Sequence, residues 1–111
     1  MRSTLDMRRL RYFVAVAEAL HFGRAAARLG MAQPPLTQQI QKLERELGYP
    51  VFLRRSRKTS LTEAGRVLLE DAVRILRACD EAVERVRRAG RGETGRITVG
   101  TPPSVDRKSV V

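Results

Sequence analysis

Leu10, Phe13, Val14, Ala17 and Leu20 recur at spacings of three and four, which places them on one face of a helix from about Asp6 to Leu20. Asp6 suits the cap position, because a short carboxylate accepts bonds from first-turn N–H groups. Phe22, Ala25, Ala26 and Leu29 repeat the pattern over a second, short helix. Gly30 stands where a left-handed residue would end it. A tight connection, Met31-Ala32-Gln33, leads to Pro34 and Pro35. Proline suits the first turn of a helix, where N–H groups have no partner in any case. Leu36, Ile40, Leu43 and Leu47 mark the buried face of a third helix, and Gly48 closes it.

The texture changes at Pro50. Val51-Phe52-Leu53 is a short apolar run, Arg54-Arg55-Ser56-Arg57-Lys58 a basic tip, and Thr59-Ser60-Leu61 a second β-prone run. This reads as a hairpin with a charged turn, the wing of a winged helix; the alternative is an irregular basic loop. Thr62 fits an N-cap, with Glu63 favourably charged in the first turn of a long helix that runs to about Ala89. Arg85, Arg87 and Arg88 suit its C-terminal end, and Gly90, Gly92 and Gly95 interrupt the pattern. Arg96-Ile97-Thr98-Val99 reads as a strand ended by Pro102-Pro103. That strand finds no partner in the chain, so a second domain is expected to follow.

The long helix carries Leu68, Ala72, Ile75, Cys79, Ala82, Val86 and Ala89 at alternating spacings of four and three, and Leu69, Val73, Leu76 and Val83 widen the stripe. A small head cannot cover a stripe of this length. Its N-terminal part is expected on the chain's own first helix and the rest on a partner helix; the alternative is that all of it packs within the chain. Leu68, Ala72, Ile75, Leu76, Cys79, Ala82, Val83 and Val86 are the candidate dimer seam. Small residues near the stripe's midpoint, Ala72, Ala78, Cys79 and Ala82, would let two helices approach closely.

Composition sharpens the picture. The 111 residues fit one domain, or a small domain with an appendage. With 42% hydrophobic and 31% charged residues, wholesale disorder is excluded. No run of ~18 apolar residues is present, so no membrane span is expected. The opening Met1-Arg2-Ser3-Thr4-Leu5-Asp6 has no apolar signal core, and a cytoplasmic protein is expected. The net charge of +10 is uneven. Residues 1–62 hold 12 basic and 4 acidic side chains, a net +8, whereas 63–92 hold 7 and 6 and 93–111 hold 3 and 2. A basic head beside a nearly neutral helix points to a polyanion-binding module with an assembly element. Few lysines betray a compositional taste for arginine, which explains Arg over Lys but not its placement. An acidic membrane surface is the other polyanion to weigh.

On the third helix, at 100° per residue, the side opposite the leucines carries Pro34, Gln38, Gln41 and Arg45, flanked by Thr37 and Lys42. This face offers amides, a hydroxyl and cations, with no carboxylate near its N-terminal half. Gln can pair twice with adenine, and Thr can use its hydroxyl or its methyl on thymine. The competing reading is an ordinary solvated helix face. The tip Arg54, Arg57 and Lys58 would grip phosphates or enter a narrow minor groove, unless its charge serves only to block edge pairing. One cysteine, Cys79, cannot make an internal disulfide, and one histidine, His21, leaves no basis for a His-based site. His21 reads as a polar residue at a helix junction. No phosphate loop, paired carboxylates, nucleophile with a base, or metal-ligand set is visible, so no catalytic or metal-binding residues are assigned.

Together these residues resemble the LysR-type transcriptional regulators. The resemblance rests on Leu10-Arg11-Tyr12-Phe13-Val14-Ala15-Val16-Ala17-Glu18, on Phe22-Gly23-Arg24-Ala25-Ala26-Ala27-Arg28-Leu29 and on Gln33-Pro34-Pro35-Leu36-Thr37-Gln38-Gln39-Ile40. Leu43-Glu44-Arg45-Glu46-Leu47-Gly48, Val51-Phe52, Arg54 and Leu61-Thr62-Glu63-Ala64-Gly65 extend it. Gly95-Arg96-Ile97-Thr98-Val99-Gly100 resembles the first strand of the family's effector-binding domain, whereas the tail 106–111 does not resemble the continuation of that domain. The resemblance implies a bacterial activator or repressor, often autoregulated, that binds double-stranded promoter DNA. It implies a homodimer through antiparallel linker helices, with a tetramer open to the full-length protein. Gln33, Pro34, Pro35, Thr37 and Gln38 would meet DNA, with Arg54 on the wing. No cofactor is expected in this chain; a small-molecule effector is expected for the full-length protein. Two departures stand out: Ala32 where the family usually has serine, and Gly23 where it has serine or threonine.

The expected architecture is therefore mainly α. A winged helix-turn-helix of three helices and a two-stranded β-wing occupies 1–62, a dimerisation helix 63–90, and a hinge with the first strand of an effector domain 91–111. Two other classes compete. A helical adaptor would expose a heptad stripe but needs no basic head, and a basic enzyme fragment would need a reactive constellation.

Overall fold

The computed structural model describes residues 5–92. Its elements follow in the order α1 (Met7–Ala19), α2 (Phe22–Leu29), α3 (Gln33–Leu47), β1 (Phe52–Arg55), β2 (Lys58–Leu61) and α4 (Glu63–Gly90). Three helices and a wing, then a long helix, is the architecture that the apolar spacing predicts. The expected strand Arg96–Val99 and the tail lie outside the described residues.

Asp6 caps α1 in an extended conformation, its carboxylate accepting from the N–H groups of Arg8 at 2.8 Å and Arg9 at 3.4 Å. The helix stops at Ala19 rather than Leu20. Leu20 turns left-handed, φ 50, and is 43% exposed, so it leaves the buried face to which its spacing assigned it. The reversal into α2 occupies only Leu20 and His21, and one αL residue makes it while Leu20 N–H still bonds Val16 O at 2.6 Å. Gly30 and Gly48 end α2 and α3 as left-handed residues, φ 67 and 86.

The core is one cluster, with Leu10, Phe13 and Val16 of α1, Phe22, Ala25 and Ala26 of α2, Leu36, Ile40 and Leu43 of α3, then Val51, Phe52 and Ala72. Burying each large side chain of this kind is worth about 1.5–3 kcal/mol. Alanines at 25 and 26 let α2 approach its neighbours closely. Phe52 is the aromatic hub, its ring centroid 5.3 Å from Phe13 and 5.7 Å from Phe22.

β1 and β2 pair antiparallel from Phe52↔Leu61 to Arg55↔Lys58. The strands reach further toward the tip than the apolar runs, β1 by two residues, Arg54 and Arg55, and β2 by one, Lys58. Only Ser56 and Arg57 form the loop, at φ 48 and 65. Both positive φ values belong to a type I′ hairpin turn, which matches strand twist. Neither residue is glycine, so each carries strain of about 1–2 kcal/mol.

Thr62 joins the wing to α4. Its Oγ1 accepts from Gly65 N–H at 3.0 Å and donates to Pro50 O at 2.8 Å, while its own N–H bonds Val51 O at 3.1 Å. Gly65 is buried against that same Val51 carbonyl, and a Cβ there would overlap the oxygen. The chain divides into two compact units, Met1–Arg77 and Ala78–Val111. The first includes the opening turns of α4 because Ala72 is completely buried in the core, with Leu68, Leu69 and Leu76 packed against it.

Candidate nucleic-acid interface

The helix-turn-helix is made by α2 and α3. Leu36, Ile40 and Leu43 are at most 2% exposed, which fixes the rotation of α3 about its axis. With that side turned inward, Gln33, Pro34, Pro35, Gln38 and Gln41 are exposed, and Thr37 is half-buried at the edge of the same surface. The six α3 residues singled out from the sequence therefore share one accessible surface.

Both ends of α2 and α3 show how local sequence sets this geometry. His21 caps α2: its Nδ1 accepts from Arg24 N–H at 3.0 Å. A Cβ at Gly23 would lie 3.1 Å from His21 Cε1 and 3.4 Å from Gln33 Oε1. The glycine leaves room for the ring to fold back over the helix start. Ala32, at the cap position of α3, has no such side-chain acceptor. It makes no side-chain bond to α3, whose start relies on its prolines and on packing.

Two polar side chains, Arg9 and Glu44, hold α3 in place. The buried Arg9 of α1 donates from Nε to Gln39 Oε1 at 3.1 Å and from Nη1 to Glu46 Oε1 at 2.6 Å. Glu44 Oε2 accepts from the N–H groups of Val51 at 2.8 Å and Phe52 at 3.2 Å, tying the end of α3 to the start of the wing. Sequence reasoning missed both. Arg9 was legible only as a cation beside the apolar face of α1, and Glu44 as a carboxylate a few residues before the wing; neither signal names a partner.

On the wing, Arg54, Arg55, Arg57 and Lys58 are exposed, and among the described residues no salt bridge neutralises them. Arg54 stacks on α2, its guanidinium carbon 4.5 Å from the centroid of Phe22. Arg57 occupies the turn and Lys58 opens β2.

The α4 stripe divides. Ala72 is fully buried by the chain's own core, which removes it from the candidate seam: no surface is left for a partner. Leu68 and Leu76 are half covered. Ile75, Val83 and Val86 are 38%, 42% and 70% exposed, Ala82 is exposed and Cys79 half-buried. Among the described residues no cluster of His, Cys, Asp and Glu is placed to hold a metal ion, and no helix is long and apolar enough to cross a membrane.

Residues 7–66 match the family described as bacterial regulatory helix-turn-helix protein, lysR family. The chain belongs to the lysR family. Among LysR relatives, it is 53% identical over 95 residues to the HTH-type transcriptional regulator XapR of Escherichia coli K12, covering 86% of this chain and 32% of XapR. It is 50% identical over 100 residues to the HTH-type transcriptional regulator BudR of Klebsiella aerogenes, covering 90% of this chain and 70% of BudR. The solved complex of the CbnR DNA-binding domain with DNA superposes with a TM-score of 0.74 at 45% identity, over 78% of this chain and 99% of that domain. The chain thus spans about a third of the length of XapR. The matched LysR residues take in the helix-turn-helix, the wing and the start of α4, the fold expected from the sequence.

Proposed function

We propose that this chain binds double-stranded promoter DNA sequence-specifically, as the DNA-reading part of a transcriptional regulator. The observation that carries the reading is the one-sided burial of α3. Three aliphatic side chains are sealed inward, so a row of proline, hydroxyl and amide groups faces out, in a segment with a net charge of +8. Gln33, Thr37, Gln38 and Gln41 read base edges, with Pro34 and Pro35 shaping the approach of the helix start. Arg54, Arg57 and Lys58 supply electrostatic affinity, Arg54 reaching toward a minor groove.

Division of labour follows the elements: a DNA-binding head over 1–62, a linker helix over 63–90, and a hinge leading to an effector-binding domain over 91–111. The linker helix pairs with a second copy through Leu68, Ile75, Leu76, Cys79, Ala82, Val83 and Val86, the exposed apolar residues arguing for such cover. A dimer presents two heads to a two-fold operator. The full-length protein is a cytoplasmic, non-enzymatic regulator that answers to a small-molecule effector and assembles to a dimer or tetramer.

The test is a salt titration of binding to a duplex enriched by the chain from a random-sequence pool, beside the unselected pool. Affinity for the enriched duplex should fall linearly in log–log form with salt, and each phosphate-binding cation replaced by alanine should reduce the slope by about one. Gln38→Ala should cost roughly 1–3 kcal/mol on the enriched duplex and little on the pool. Failure to enrich any sequence, or binding indifferent to salt, would refute the proposal.

A further inference from the structure

The geometry points to Phe22 as a positioning residue for the DNA-facing guanidinium of Arg54, which makes the first residue of α2 part of the wing's recognition apparatus. This rests on the reading of Arg54 as a DNA contact.

Strand alternation puts Phe52 and Arg54 on the same side of the hairpin, with Leu53 and Arg55 on the other. Phe52 fills the core at 6% exposure. Two residues on, Arg54 follows it inward but reaches the edge of the core, where Phe22 offers a ring. Phe22 is itself 5% exposed and held edge-on against Phe52, with an interplanar angle of 72°. The ring is therefore a fixed platform.

A guanidinium on an aromatic face is attracted by the ring quadrupole. Among the described residues no carboxylate forms a salt bridge with Arg54, so its N–H donors are left for phosphate oxygens or base edges. Arginine otherwise loses much rotamer freedom on binding DNA. Pinning it beforehand removes part of that loss. It also ties the wing to α2, 32 positions away in sequence, so that one surface presents both the cation and α3. Leucine at 22 could fill the same volume but provides no quadrupole, so the proposal separates the aromatic face from mere packing.

The experiment replaces Phe22 with pentafluorophenylalanine, nearly the same shape with its quadrupole reversed, in the full chain and in the Arg54→Ala variant. Affinity is measured by fluorescence anisotropy for the enriched duplex and for the unselected pool, with thermal unfolding as the check on folding. The expected result is a roughly two- to fivefold loss of affinity in the wild-type background, in a protein that still unfolds cooperatively, and no further loss once Arg54 is alanine. Equal losses in both backgrounds, or none in the wild type, would overturn the positioning role. If Arg54→Ala binds as tightly as wild type, the assignment of Arg54 to DNA falls, and the inference with it. A second measurement needs no variant to fold: in the free wild-type chain the Arg54 δ-methylene protons should show an upfield ring-current shift, and random-coil shifts there would overturn the stack.

Discussion

Replacing Gly65 with alanine should destabilise the head although alanine is the better helix former. The added Cβ would sit 2.9 Å from Leu61 Cδ2 and 3.1 Å from the Val51 carbonyl carbon, and would overlap the Val51 oxygen. The Val51 oxygen lies only 2.1 Å from the added Cβ, where an ordinary contact is above about 3 Å, so α4 and the segment before the wing must separate by more than about 1 Å. The leucine can rotate away; the carbonyl cannot, because it accepts the N–H of Thr62, whose hydroxyl in turn binds Pro50 O. Overpacking costs typically 1–3 kcal/mol and a weakened hydrogen bond about 1 kcal/mol, against about 1 kcal/mol gained from helix propensity. The net loss is about 2 kcal/mol, or roughly 8–16 °C in melting temperature for a domain of this size. Gly90→Ala is the control: nothing lies within 4 Å of its would-be Cβ, so it should be neutral or stabilise by up to about 1 kcal/mol. Thermal and urea unfolding followed by circular dichroism measure both. A Gly65→Ala protein as stable as wild type would refute the claim that close backbone approach dictates this glycine.

Glu44→Ala leaves the Val51 and Phe52 N–H groups without their acceptor, and should cost about 1–3 kcal/mol and speed hydrogen exchange at both amides. Glu44→Gln keeps an acceptor oxygen and should lose less; equal losses would mean that the charge, not the bonds, matters. Val83→Asp puts a carboxylate on the exposed stripe and should convert a wild-type dimer to monomer in sedimentation without lowering the melting temperature of the head; a wild-type monomer at tens of micromolar would remove the dimer. The Asp6 carboxyl is held below its ordinary value of 3.8 by the Arg8 N–H above all, with partial burial opposing, then by the Arg9 N–H and the two arginine charges. A lowered folded-state value means the stabilisation is complete above the ordinary value and is lost as pH falls through the lowered one. The stability advantage of wild type over Asp6→Ala should therefore be flat at neutral pH and shrink on acidification below that value; an advantage independent of pH would refute the carboxylate cap.

The one-dimensional pattern determined the elements of this protein, because a helix or hairpin is selected by neighbours within a few residues. Leu36, Ile40 and Leu43 set the inward side of α3 and hence its outward one, Gly30 and Gly48 set where helices stop, and the polar face of α3 emerged without knowledge of what covers the rest. Tertiary structure decided everything that joins residues distant in the chain. Ala72 and Val83 occupy the same kind of stripe position, and only the packed structure shows that one is sealed in the core while the other is open, since heptad spacing is blind to which surface does the covering. The bonds of Glu44 to the wing, of Arg9 to Glu46 and the stack of Arg54 on Phe22 span loops whose closure no local preference encodes; they form because burying Phe13, Phe22 and Phe52 together brings those backbones within reach, and only then do the polar groups have partners to choose.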